Sequence, residues 1–238
     1  MKDSPDEKVV TWLQAYRDSV GSPADECLQL HQDLRQGELG EGDNPSLLRE
    51  LLEVMADLSP DPHTVSCAML FVASECGAEL GSVLAKASPE VSEQLEQLLY
   101  LIELETEHLP ASTGHSAEGL RRMLLALVND VRVVLIALAW QLVKLRRARG
   151  GYDDAVSLAE EVMLIHAPLA NRLGVWQLKW ELEDLAFRYS QPEEYRRTAQ
   201  LVDERRSDRE RFILKFIEEL ETAIRKAGIK GEVKGRPK

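Results

Sequence analysis

The residues of this 238-residue chain best suited to ligate a metal or carry a proton are five histidines (His31, His63, His108, His115 and His166) and three cysteines (Cys27, Cys67 and Cys76). Their spacing supports neither task. No two histidines stand three or four residues apart, the spacing that puts both on one helix face, and there is no HExxH, cysteine quartet or histidine-aspartate pair. The cysteines form no CxxC, and their odd number fits reduced, packed thiols in a cytosol. Phosphate chemistry fares no better: there is no GxxxxGK[ST] loop and no GxGxxG, and the glycine-rich stretch Gly37 to Gly42 is acidic. A lone Ser or Cys is a poor nucleophile without a base beside it, and none can be named here. His63 is expected in the first turn of a helix and His166 at a helix bend before Ala167-Pro168, both as packing residues.

Charge narrows the partners. Lys and Arg number 29 against 41 Asp and Glu, a net −12 that repels nucleic-acid backbones and anionic lipid over most of the surface. Residues 221–238 are the exception, with six basic residues and two acidic ones. No apolar run approaches the roughly 20 residues of a membrane span, and Met1 to Tyr16 lacks the apolar core of a signal peptide. Neither DNA nor a membrane is expected as a partner, and the expected location is the cytoplasm.

The elements that would position any site are helices. Ser4-Pro5, Ser22-Pro23, Asn44-Pro45, Asp61-Pro62 and Ser88-Pro89 each place a capping side chain before a proline at a first helical position, and Gln191-Pro192 is a weaker sixth. Leu47, Leu48, Leu51, Leu52, Met55 and Leu58 make a stripe of three- and four-residue spacings. Helices are predicted over about 6–20, 24–37, 62–86, 89–108, 116–149, 153–171, 175–189 and 192–227. Clear loops are expected only at 37–45 and 109–116. Met123 to Leu145 is apolar nearly all round, as a central helix is, whereas Asp203 to Arg211 is polar on every face. The fold class is all-α.

Three blocks carry a resemblance. AEGLRRMLLALVNDVRVVLI over Ala117 to Ile136, HAPLANRLG over His166 to Gly174 and KWELEDLAFRY over Lys179 to Tyr189 resemble the RelA/SpoT family of (p)ppGpp enzymes. The resemblance implies an all-helical HD-type hydrolase domain over about 1–195, in which two histidines and two aspartates hold a Mn²⁺ that removes the 3′ pyrophosphate of the alarmone. Aligned on that pattern, the ligand positions read Leu47, Phe71, Val72 and Trp140, all apolar. Of the neighbouring acidic pair Glu75 remains, and Cys76 replaces the aspartate. Neither Mn²⁺ binding nor hydrolysis is therefore expected, and no residue is assigned a catalytic role.

A degenerate hydrolase domain beside a working synthetase resembles the RelA branch, a ribosome-associated GTP pyrophosphokinase of the stringent response. Residues 196–238 then read as a helical linker and the start of a synthetase domain, since GEVKGRPK over Gly231 to Lys238 is similar to the family's VxGRPKH motif. The resemblance implies that the synthetase uses ATP and Mg²⁺. The neighbouring domain is the expected partner of the region before it, which would support or regulate synthesis. An allosteric guanine-nucleotide site, motivated by Arg121, Arg122, Arg146, Arg147 and Arg149, or a protein-interaction role, is the alternative.

Overall fold

The computed structural model describes residues 4–35, 44–108, 130–148 and 152–226, and all regular structure among them is helical. α1 (Pro5–Val20) starts as the sequence predicts: the Glu7 N–H donates to the Ser4 hydroxyl at 3.2 Å, and the Ser4 N–H donates to the Glu7 carboxylate at 2.6 Å. Ser22-Pro23 opens a single 3₁₀ turn that leads into α2 (Asp25–Arg35). α3 (Asn44–Ala56) buries the inner residues of its leucine stripe. α4 (Pro62–Glu75) is capped by Asp61, whose carboxylate accepts the Thr64 N–H at 2.9 Å.

Three predicted helices are interrupted, each for a local reason. The helix expected over 62–86 stops at Glu75, because Gly77 at φ +95° takes the left-handed conformation that ends a helix, and the short α5 (Leu80–Leu84) follows. α6 (Pro89–His108) matches its expected span. The helix expected over 116–149 does not run through Asp130: this residue is extended, and its carboxylate caps α7 (Val131–Arg147) by accepting the Arg132 N–H at 2.9 Å. Residues 109–129, with the loop predicted at 109–116 and the first half of that helix, lie outside the described residues.

The span expected over 153–171 divides into α8 (Tyr152–Glu161), a π-helical turn (Val162–His166) and α9 (Ala167–Arg172). Pro168 has no N–H and its ring crowds the carbonyl one turn back, so the chain widens there and the Ala167 N–H reaches the Val162 carbonyl. α10 (Trp176–Ser190) and α11 (Pro192–Lys226) complete the order. Among the described residues no helix is long and apolar enough to cross a membrane.

The chain forms two compact units, Met1–Ala186 and Phe187–Lys238. In the second, Phe187 and Tyr195 meet edge to face at 5.7 Å across the α10–α11 corner, and α11 exposes Phe216. The first unit is built around α4 and α7. Every residue of α4 from Thr64 to Ala73 is buried, as are Ile136 to Val143 of α7, so both helices are enclosed on all sides. α2, α3 and α6 pack around α4, and α7 packs on α3, α4, α6 and α8.

Where α4, α6 and α7 begin, one guanidinium joins them. Arg132 donates to Asp130 at 2.8 Å, to Asp61 at 2.9 Å and to Glu90 at 3.2 Å, so it binds the capping carboxylates of α4 and α7 and an acidic residue of the first turn of α6. Asp130 also accepts the Gln94 side-chain N–H at 2.8 Å. These bonds to Arg132 hold the Asp130 carboxyl down at about 2 and lower that of Asp61. Replacing Arg132 by Ala is expected to lower the stability of the chain by about 1–3 kcal/mol in urea unfolding, and Lys should recover only part, because it lacks the planar fork.

A second pairing sets a pH dependence. His31 is buried on α2 with Nε2 3.4 Å from Asp6 Oδ1 of α1, while Arg35 holds the other carboxylate oxygen at 2.8 Å. Burial pushes the imidazole below its ordinary pKa of about 6.5; Asp6 opposes that shift and Arg35 adds to it. The native state therefore takes up this proton at lower pH than the unfolded chain, and stability falls as pH drops below about 6.5. The thermal midpoint is expected to fall between pH 7.5 and 5.5, and His31→Gln should flatten that fall.

Candidate functional site

The positions that the resemblance assigns to metal ligands fall on three helices: Leu47 on α3, Phe71 and Val72 on α4, and Trp140 on α7. Phe71 and Val72 are wholly buried, Trp140 is 6% exposed and Leu47 is half-buried. The structure brings Phe71 and Trp140 together, their ring centroids 5.3 Å apart and their planes at 88°. In this edge-to-face geometry the positive rim of one ring meets the negative face of the other, which favours the pair beyond its burial alone.

Such a site does not fit a manganese ion. Mn²⁺ takes oxygen or imidazole donors, whereas Leu, Phe and Val have no lone pairs to offer and the indole N–H can only donate. Among the described residues no group of three His, Cys, Asp or Glu side chains is arranged to hold a metal. Glu75, one turn beyond Phe71, lies exposed at the end of α4. The surrounding protein raises its carboxyl above the usual carboxylate range, and the Lys144 charge opposes the rise.

The other candidates are placed as packing and pairing residues. His63 lies in the first turn of α4, as expected, and its Nδ1 is 3.0 Å from Glu90 at the surface. His166 is wholly buried in the π-helical turn, 4.0 Å from Glu161. His115 and the side chain of His108 lie outside the described residues. Cys27 and Cys67 are buried, and desolvation raises both thiols, Cys67 to about 12, so neither forms the thiolate that would attack or ligate. Cys76 is half-buried at the end of α4.

The arginines offered for a nucleotide are engaged within the unit. Arg146 forks onto Glu181 at 2.7 and 2.8 Å, and Arg147 forks onto Glu50 at 2.8 and 3.1 Å. Arg121, Arg122 and Arg149 lie outside the described residues. The residue that the sequence reading missed is Arg132. It sits inside the first resembling block, but its bond to Asp61 spans 71 positions of chain and no local pattern signals it.

Residues 27–176 match the HD domain family. The chain belongs to that family. Its relatives place this HD domain in the RelA/SpoT group. It is similar to the GTP pyrophosphokinase of Escherichia coli K12, 39% identical over 194 residues that cover 79% of this chain and 26% of the relative. The GTP pyrophosphokinase of Photobacterium angustum is 33% identical over 252 aligned residues, covering 100% of the chain and 33% of the relative. A third relative, a probable guanosine-3′,5′-bis(diphosphate) 3′-pyrophosphohydrolase of Synechocystis, is 44% identical over 135 residues, 54% of the chain and 17% of the relative. The chain thus spans between about a quarter and a third of the length of the pyrophosphokinases it matches.

If the α4–α7 seam of this HD domain is held by its aromatic pair, truncating either ring is costly. Phe71→Ala is expected to destabilise the chain by about 3–5 kcal/mol. In a double-mutant cycle with Trp140→Ala, measured by urea unfolding, the coupling should be about 0.5–1.5 kcal/mol.

Proposed function

We propose that this HD domain is a pseudo-hydrolase, the catalytically inactive companion of a synthetase in a RelA-type GTP pyrophosphokinase. The observation that supports the reading is that Phe71 and Trp140, which the resemblance aligns with metal ligands, form a buried aromatic pair. Removing a 3′ pyrophosphate by the family's chemistry needs a metal to orient water, and a hydrocarbon seam supplies neither a ligand for it nor room for the water. Glu75 alone, exposed and without such an ion, has nothing to activate.

The role left to the domain is mechanical. A closely packed α4–α7 core, with the Arg132 cluster at one end, makes a stiff body on which a neighbouring domain can be positioned or restrained. In this reading residues 196–238 lead into the synthetase, and ATP, Mg²⁺ and the guanine nucleotide belong to that domain. The ribosome would be a partner of the longer protein, and the setting is the cytoplasm. A guanine-nucleotide site on the HD domain draws no support from Arg146 or Arg147, whose guanidinium forks already face carboxylates.

Incubation of the folded chain with ppGpp and Mn²⁺ is expected to release no pyrophosphate above background. Release that a chelator abolishes would overturn the reading, and cooperative unfolding of the same sample separates inactivity from misfolding.

A further inference from the structure

α1 ends before residue 27, where the HD match begins, yet it walls a hollow of about 330 Å³ on the first unit. On one side stand Trp12 and Tyr16, stacked with centroids 5.2 Å apart and planes 11° from parallel, with Val20 further along the helix. On the other are Ala56, at the end of α3, and the Ser59-Pro60 turn. Ser59 holds a left-handed φ of +51°, uncommon outside glycine, and so presents this turn in a conformation that the chain alone does not favour.

No charged residue lines the hollow, and the hydroxyls of Tyr16 and Ser19 are already used. The Tyr16 hydroxyl donates to the Pro60 carbonyl at 2.7 Å, and the Ser19 hydroxyl donates to the Tyr16 carbonyl at 2.7 Å. A phosphate or carboxylate would find no counter-charge here. A flat, uncharged ring would find an aromatic face and aliphatic walls.

We infer that this hollow is a binding site for a small neutral aromatic molecule of one or two rings. Its volume lies at the lower end of the range of small-molecule sites, and its lining is the apolar kind such sites share. A docked helix would need a longer groove with anchors over two turns, and a stable protein interface buries about 800 Å² per partner. This lining comprises eight residues, and of the large exposed apolar side chains only Val20 belongs to it.

Indole serves as the probe, added to the full chain while ¹H–¹⁵N spectra follow the Trp12 side-chain N–H, assigned with Trp12→Phe, and the Ser59 amide. Both signals are expected to shift saturably. Ala56→Phe fills the hollow from an exposed position and should weaken indole binding at least tenfold. Ala15→Phe, from the opposite wall, should do the same and stands in if the first variant does not fold. Absence of a saturable shift up to the solubility of indole, or equal binding by the filled variants, would overturn the site. So would self-association in sedimentation that indole reverses, since the hollow would then belong to a second copy of the chain.

Discussion

The first unit depends on one constraint: α4 and α7 are both buried through their middles, so the side chains that fill the space where they meet must be mostly apolar. Ten consecutive residues of α4 and eight of α7 are out of solvent, so neither helix has a face that tolerates a bare charge. Phe71 and Trp140 meet in that seam. A metal-binding HD domain needs polar side chains held in the same kind of place, with their cost of burial offset by the ion they share. Once the ion is gone such a cluster is a liability, and apolar packing, at roughly 1.5–3 kcal/mol for each fully buried large side chain, is the stabilising alternative. On the proposed reading, apolar residues at the ligand positions and the soundness of the core are two sides of one pattern.

The charged pairings of α4 and α7 lie at the ends of these helices. Asp61 and Asp130 satisfy backbone N–H groups that no helix can satisfy internally, and Arg132 turns those two caps and Glu90 into a tie between three elements. The arrangement fixes where α4, α6 and α7 start relative to one another without placing a charge in the seam. His31 and Asp6 join α1 to α2, with an imidazole that burial pushes below its ordinary range.

Much of this was legible in the sequence, and the reasons are local. Ser4-Pro5 and Asp61-Pro62 announced their helices because a cap and the proline behind it are adjacent in the chain. The central place of α7 followed from its apolar run, which needs no knowledge of neighbours. The breaks were harder. Gly77 and Asp130 each carry a known signal, but a strongly apolar flanking stretch outweighs it until the backbone is seen. The widened turn before Pro168 depends on the fit of a ring against a carbonyl one turn back. For the site, the identities of Leu47, Phe71, Val72 and Trp140 could be read off a family pattern, whereas the ring contact between Phe71 and Trp140 is a tertiary fact. The Arg132 cluster was invisible for the same reason, since its partners lie far apart in sequence.

The central claim is that a packed apolar seam has replaced a metal centre, and manganese binding itself tests it most directly. Calorimetric titration of the cooperatively folded chain with Mn²⁺, alongside metal analysis of the protein as purified, should show no stoichiometric site. One tightly held Mn²⁺ per chain, released by a chelator, would contradict the account.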